Sequence, residues 1–295
     1  MIGNAASQLG GVIAAIPTPV DAKGEPDHSR FLALAQHLLA NGCDGLNVLG
    51  TTGEATSLTV DQRLGLMSAA AAGLPTDRLM VGTGAAAVDD AALLTRHAEE
   101  LGFAGALVLP PFYYKGVSHE GVMRFVDQVA QAAQRVPLFL YHFPALSGVP
   151  FELSLVENLL TVFGERIAGL KDSSGDISYA RRVASLNGRL RVFPSNEAAL
   201  IEAREGVFAG CISATASLNA RWCARAFHHG NEAALSTAVA IRKLLDGLPM
   251  ISGVKCLLAH MHADPQLAEP LAPLCRLVES EAIDLIRMYR ELTSE

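Results

Sequence analysis

A short apolar segment followed by a helical pattern recurs eight times along residues 1–230, and this repeat limits the fold more than any other feature of the sequence. The apolar segments carry few polar interruptions, which is typical of strands buried on both faces of a parallel sheet. They lie at residues 11–20, 45–50, 78–84, 105–111, 137–144, 167–175, 190–197 and 211–216.

A helical pattern follows each of these segments and completes eight β/α units. These patterns lie near residues 27–41, 59–74, 88–101, 118–134, 154–163, 176–186, 198–205 and 219–229. The order predicts an α/β fold, a (β/α)8 TIM barrel. A doubly wound open sheet is the alternative, but the first strand–helix turn lacks a G-x-G-x-x-G fingerprint and no change in composition divides the chain.

The last part of the chain no longer follows the strand pattern. Residues 231–295 contain three Ala- and Leu-rich helical patterns, with Pro265 and Pro270 in a loop between the last two. The boundary carries no Gly/Ser/Pro linker that would let this part move independently. We therefore predict a barrel over residues 1–230 and a C-terminal helical extension over 231–295 that packs on the barrel.

The charge and hydropathy patterns favour a small-molecule ligand. A net charge of -7, with no run of lysine or arginine, argues against nucleic acid or an anionic membrane as a partner. The start of the chain lacks a signal-peptide pattern, and no apolar stretch approaches the roughly 20 residues of a spanning helix, so we expect a cytoplasmic protein. Five dispersed cysteines without a C-x-x-C pair predict neither disulfides nor a zinc site.

Lys171 ends the sixth apolar segment, in a chain that has only five lysines. Burial disfavours the charged form of an amine, and a neutral amine can attack a ketone to form a Schiff base. The alternative is an ion pair with Asp172, although adjacent residues of a strand point to opposite faces.

Other polar residues also follow the apolar segments, where the active site of a barrel lies. The turn 50–54, GTTGE, places two hydroxyls between glycines and could seat a carboxylate, or could be an ordinary capped turn. Tyr141 could move protons beside a buried amine or simply pack. Glu197 could bind hydroxyl groups. Residues 110–115 predict loop packing or a subunit contact, and no motif predicts a metal or nucleotide site.

Three motifs in this order resemble the dihydrodipicolinate synthase and N-acetylneuraminate lyase family of Schiff-base, pyruvate-dependent aldolases: GLNVLGTTGE at 45–54, the Tyr141-x-x-Pro144 turn, and GLKDSSGD at 169–176. The resemblance extends to residues 82–84, 110–114, 212–216 and 270–274, and so covers nearly the whole chain. It implies a (β/α)8 barrel, a homotetramer, and a Schiff base between the strand-6 lysine and a 2-oxo acid, usually pyruvate, without a cofactor or a metal.

The resemblance also implies a role for each matching residue. Lys171 forms the Schiff base, and Tyr141 transfers protons. Thr52 and the backbone of Gly53 hold the substrate carboxylate, and the backbone of Ile212 lies beside the bound 2-oxo acid. Thr51 links Tyr141 to Tyr114 of a neighbouring subunit.

Departures from the family pattern bear on the substrate. Dihydrodipicolinate synthases usually carry an arginine for the aldehyde's carboxylate where this chain has Leu146. Residues 144–148 resemble neuraminate lyases and sugar-acid aldolases instead, which favours a polyhydroxylated partner. The neuraminate lyases grip sugar hydroxyls with an Asp-Glu pair, and here the matching residues are Glu197 and Ala198. His142 also replaces a small polar residue.

These observations predict a lyase that cleaves or forms a carbon–carbon bond between pyruvate and an aldehyde, with a 2-keto-3-deoxy sugar acid as the substrate. The alternatives within the family are a 2-keto-3-deoxy acid dehydratase, an N-acetylneuraminate lyase and a dihydrodipicolinate synthase. A non-catalytic keto-acid-binding regulatory protein is an alternative of another class, but Lys171, Tyr141 and Thr51 argue against it.

Overall fold

Within residues 9–293, which this computed structural model describes, eight parallel strands form the centre of the protein. Residues 1–8 and 294–295 lie outside the described residues. The predicted domain ranges include them, and the predicted lack of a signal peptide concerns the first of these segments. The strands are β1 (Gly11–Ala15), β2 (Gly45–Val48), β3 (Leu79–Gly82), β4 (Gly105–Val108), β5 (Leu138–His142), β6 (Ile167–Asp172), β7 (Arg191–Pro194) and β8 (Gly210–Ser213). Each begins within or next to a predicted apolar segment.

The strands pair in the order β8, β1, β2, and so on to β7, as a (β/α)8 barrel requires. Between β7 and β8 the backbone N–H of Ala209 donates to the carbonyl of Val192 at 2.9 Å. This bond brings the two ends of the sheet together, and the predicted barrel is confirmed.

The helices lie outside the strands at the predicted places. They are α1 (His28–Ala40), α2 (Val60–Gly73), α3 (Val88–Glu100), α4 (His119–Ala132), α5 (Pro144–Ser147), α6 (Leu153–Phe163), α7 (Ile177–Leu186), α8 (Leu200–Arg204) and α9 (Ala216–His229). The one-turn helix α5 was not predicted; it begins at Pro144 and ends before Gly148, whose φ of 65° suits a glycine.

The interior of the barrel is filled by side chains that point inward from the strands. The rings of Phe139 and Phe193 lie at its centre, with centroids 6.1 Å apart. A Cβ on Gly169 would lie 2.6 Å from the ring of Phe139, so β6 needs a glycine at this position. Since Gly169 and Lys171 point to the same face of β6, the phenylalanine fills the space below the lysine.

The residues after α9 form three further helices: α10 (Glu232–Lys243), α11 (Met250–Met261) and α12 (Glu279–Thr293). One hydrophobic cluster runs without interruption from Val12 on β1 to Val254 on α11 and Leu285 on α12. The extension therefore shares its core with the barrel, and a domain boundary at residue 230 stays a proposal.

A buried ion pair also joins the extension to the barrel. The Lys255 ammonium on α11 contacts the carboxylate of Glu54, and both side chains are almost fully buried. Lys255 also donates to the carbonyl of Glu269 at 2.6 Å, while Glu54 accepts the N–H of Leu271 at 2.5 Å. Burial lowers the pKa of Lys255, and the Glu54 carboxylate opposes that shift. The pair thereby fixes the 50–54 turn against the extension.

We expect Lys255→Met to lower the free energy of unfolding by about 3–5 kcal/mol, because it leaves the Glu54 carboxylate buried without its partner. The double variant Glu54→Gln/Lys255→Met should be more stable than Lys255→Met alone, since no charge is then left unpaired. Urea unfolding of both variants measures this, with Lys243→Met on the surface of α10 as the control. Additive losses in the double variant would contradict a coupled pair.

Candidate active site

Lys171 lies near the carboxyl end of β6, inside the barrel and 3% exposed. Its partner in the strand register is Tyr141 of β5, and the lysine Nζ lies 4.4 Å from the centroid of the tyrosine ring. Asp172 points to the other face, where its carboxylate accepts the N–H of Ser174 at 2.9 Å. Lys171 and Asp172 do not form an ion pair, so the alternative explanation for this lysine is wrong.

Tyr141 is held from the other side by the turn that follows β2. The Thr51 Oγ1 lies 3.1 Å from the Tyr141 phenol oxygen, within hydrogen-bond distance. The turn itself is fixed by Thr18, whose hydroxyl donates to the carbonyl of Gly53 at 2.7 Å. Thr18 is fully buried. Sequence reasoning missed this residue, because a threonine between two prolines carries no pattern that points to a distant turn.

Five of the predicted site residues line one cavity of about 400 Å³. Its walls come from the ends of several strands, from α5, and from the C-terminal extension. The predicted residues that line it are Thr51, Thr52, Tyr141, Lys171 and Ile212. Leu146 also lines this cavity, and so do Arg242 and residues 249–252 of the extension.

Tyr114 lies on the loop after β4, where it is 75% exposed and makes a T-shaped contact with the ring of Tyr113, 5.4 Å between centroids. Two neighbouring aromatic rings at this exposure are typical of a protein contact surface. The structure contains one chain, and the predicted approach of Tyr114 to Thr51 of a neighbouring subunit stays a prediction.

Glu197 is fully buried rather than on the cavity wall. Its Oε1 accepts hydrogen bonds from Ser213 at 2.8 Å, from Asn219 at 3.3 Å and from Thr215. Its Oε2 lies 3.5 Å from Nη1 of Arg242. This geometry does not support a direct contact between Glu197 and substrate hydroxyls, and it favours a role in positioning Arg242.

Arg242 reaches the cavity from the last turn of α10, a position that sequence reasoning missed. A basic residue near the C-terminus of a helix is ordinarily explained by the helix dipole. The sequence therefore held no signal that this particular arginine turns inward.

His142 fixes the end of β5 beside Tyr141. Burial lowers the pKa of His142 from 6.5 to about 4, against an opposing effect of Asp176. The imidazole is therefore neutral at neutral pH, and its Nδ1 accepts the N–H of Phe151 at 3.1 Å. Its ring stacks on Tyr179, with 4.2 Å between centroids.

No group of three or more histidine, cysteine, aspartate or glutamate side chains within residues 9–293 is arranged to hold a metal ion. In the same part of the chain, we find no helix with the length and apolar character needed to cross a membrane.

The chain is similar to several known proteins in sequence and in fold. A model of the dihydrodipicolinate synthetase family matches residues 8–281. A relative from Chloroflexus aurantiacus, named an uncharacterized DapA-like lyase, is 32% identical over 295 residues, which cover 96% of each chain. A 4-hydroxy-tetrahydrodipicolinate synthase from Synechococcus is 36% identical over 168 residues, 57% of this chain and 55% of the relative. The crystal structure of dihydrodipicolinate synthase from Agrobacterium tumefaciens superposes with a TM-score of 0.89 at 26% identity, covering 96% of this chain and 99% of that one.

We expect the free energy of unfolding to decrease as the pH is lowered from 6.5 to about 4, because the unfolded chain protonates His142 in this window while the folded protein does not. His142→Gln should lose part of this slope. Urea unfolding across the window measures it, with the exposed His260→Gln as the control. Equal slopes in the wild type and His142→Gln would show that this imidazole is not the group that titrates.

Proposed function

The chain belongs to the dihydrodipicolinate synthetase family, and from this membership we propose that it is a Schiff-base lyase that cleaves or forms a carbon–carbon bond between pyruvate and an aldehyde. The observation that carries the proposal is the buried Lys171 beside the ring of Tyr141, in a cavity at the carboxyl ends of the strands. A lysine in this position is suited to act as a nucleophile, because it is shielded from bulk water and lies next to a group that can transfer protons.

In the cleavage direction, the Lys171 amine attacks the keto carbon of a 2-oxo acid, and loss of water leaves an iminium ion. The iminium withdraws electrons from the bond between C3 and C4. The C4 hydroxyl loses its proton, that bond breaks, and an aldehyde leaves. The electron pair of the broken bond forms an enamine, which takes up a proton at C3, and hydrolysis then releases pyruvate and the free lysine.

Tyr141 supplies and accepts the protons of these steps, since its phenol lies beside the lysine and within 3.1 Å of the Thr51 hydroxyl. Thr52 and the backbone of Gly53 hold the carboxylate of the 2-oxo acid. Ile212 lies beside it through its backbone. The Thr18 contact with Gly53 keeps this turn in one conformation.

We propose a 2-keto-3-deoxy sugar acid as the substrate. The aldehyde half would lie against the wall that includes Leu146, whose side chain offers no hydrogen bond and no charge to a second carboxylate. A cavity of about 400 Å³ is within the range of small-molecule sites.

Dihydrodipicolinate synthase is a second candidate, because the Synechococcus relative carries the name 4-hydroxy-tetrahydrodipicolinate synthase. Leu146 argues against this candidate, because its side chain offers no charge or hydrogen bond to the carboxylate of the aldehyde. A 2-keto-3-deoxy acid dehydratase would use the same imine but expel hydroxide, and an N-acetylneuraminate lyase would act on a larger sugar acid. Product analysis separates them: pyruvate from a 2-keto-3-deoxy acid indicates an aldolase, and a semialdehyde indicates a dehydratase.

We also propose a homotetramer. The exposed ring pair of Tyr113 and Tyr114 would then be covered by a neighbouring subunit, and Tyr114 would reach that subunit's Thr51.

The covalent step is tested with pyruvate and borohydride, which should inactivate the enzyme and add a reduced pyruvyl group to the peptide that contains Lys171. Peptide mass spectrometry locates the label. Lys171→Arg, which keeps the charge but lacks the amine, should remain unlabelled. A label on Lys243 or Lys255, or none at all in the wild type, would refute the proposed chemistry; binding without any turnover would support a regulatory keto-acid-binding protein instead.

Replacement of the phenol tests the proton-transfer step. We expect Tyr141→Phe to lower kcat by roughly 10²–10⁴ while the fold is kept. Thr51→Val should cause a smaller loss and add little to Tyr141→Phe, because Thr51 acts through the Tyr141 hydroxyl. The steady-state rate of pyruvate release measures both, with Tyr113→Phe as the matched control on the exposed loop. If the losses in the double variant multiply, the two residues act separately.

A further inference from the structure

The C-terminal extension contributes the charged side chain of Arg242 to the lining of the cavity. All the residues that line this cavity belong to the described part of the chain; among them Lys171 and Arg242 are the basic ones, and none is acidic. Lys171 is committed to the Schiff base in the proposed function. The side chain of Arg242 is 24% exposed, so it is partly buried but still open to a ligand.

The guanidinium is held through one of its nitrogens. Its Nη1 lies 3.3 Å from the Ser213 hydroxyl, 3.4 Å from the Thr215 hydroxyl and 3.5 Å from the Glu197 carboxylate. Within residues 9–293 we find the hydrogen bonds of this side chain only at Nη1. The Nε and Nη2 donors therefore remain for a ligand in the cavity that Arg242 lines.

The buried Glu197 carboxylate decides which ligand these donors suit. Its negative charge offsets the positive charge of Arg242 at 3.5 Å, in surroundings where charges are poorly screened. An anionic aldehyde would approach a pair with little net charge and gain little attraction. The free N–H groups still donate to neutral oxygen atoms.

We propose that Arg242 determines specificity for the aldehyde half of the substrate by donating hydrogen bonds to its hydroxyl groups, and that Glu197 positions Arg242 and cancels its charge, so that a neutral polyhydroxylated aldehyde is selected. This inference rests on the proposed function and names the partner class of the same site. It reassigns Glu197 from a group that contacts the sugar to one that acts through the arginine.

Two residues of this chain depart from the family patterns for binding the aldehyde half. Ala198 removes one acid of the Asp-Glu pair seen in neuraminate lyases, and Leu146 removes the arginine usual in dihydrodipicolinate synthases. Neither a paired acid nor an unpaired cation then faces the aldehyde. Arg242 supplies donors from α10 instead.

The test compares three aldehydes in condensation with pyruvate: D-glyceraldehyde, propanal, which lacks both hydroxyls, and D-glyceraldehyde 3-phosphate. The wild type should show the highest kcat/KM with D-glyceraldehyde. Arg242→Met should lower that value by roughly 10- to 100-fold, as expected for a lost hydrogen bond to a charged donor, and leave propanal nearly unchanged. The control is Lys243→Met, which removes the neighbouring charge from the exposed face of α10.

Glu197→Gln provides an independent readout. It keeps a side-chain oxygen for Ser213 and Thr215 but leaves the Arg242 charge uncompensated, so kcat/KM for D-glyceraldehyde 3-phosphate relative to D-glyceraldehyde should rise about tenfold. A purely structural glutamate would lower both values without changing their ratio. Arg242→Lys, which keeps the charge without the planar fork, should recover only part of the loss.

Borohydride trapping of pyruvate on each variant separates the two proposals. If Arg242→Met still traps pyruvate and keeps the wild-type ratio of kcat/KM for D-glyceraldehyde to that for propanal, the role of Arg242 is overturned. The Schiff-base chemistry then stands. A wild type that prefers D-glyceraldehyde 3-phosphate also overturns it, because Arg242 would then be an anion site. If borohydride traps no pyruvate on the wild type, the proposed function itself is refuted.

Discussion

The burial of a lysine amine without a carboxylate partner is the constraint on which the rest of the site depends. Within residues 9–293, the contact we find for the Lys171 Nζ is the face of the Tyr141 ring at 4.4 Å. Removing an amine from water without pairing it is costly, so such a position persists where the amine is needed for a reaction. Gly169, two residues earlier on the same face of β6, leaves room for the ring of Phe139, which fills the barrel interior next to the lysine.

Local patterns and the family motifs were enough to predict the fold and five of the residues that line the cavity. The apolar segments predicted the strands. In a barrel of parallel strands all the carboxyl ends lie at the same end, so residues that are far apart in sequence were predicted to lie close together there. The positions of Thr51, Tyr141 and Lys171 follow from this rule, and the family motifs then suggested a role for each. Their roles remain proposals, but their convergence on one cavity is a property of the structure.

What could not be predicted depends on side chains that cross between distant elements. Glu197 follows β7 as expected, but its carboxylate turns away from the cavity toward the hydroxyls of Ser213 and Thr215. The spacing of residues in the sequence does not predict this side-chain orientation, because it depends on hydrogen-bond donors on β8 and on the segment after β8. The pairing of Glu54 with Lys255 could not be predicted from the sequence either, since the two buried residues lie 201 positions apart.

The C-terminal extension is consequently part of the active site rather than a cover over it. It contributes Arg242 to the cavity wall, and through Lys255 it fixes the turn that carries Thr51 and Thr52. Lys171 and Tyr141, the residues proposed to form the Schiff base and transfer protons, lie on strands β6 and β5 of the barrel. The groups proposed to choose the aldehyde lie partly on helices outside the β/α repeat. We therefore expect a substitution on α10 to change the aldehyde partner without disturbing Lys171, since function can vary through residues outside the strands while the barrel chemistry stays the same.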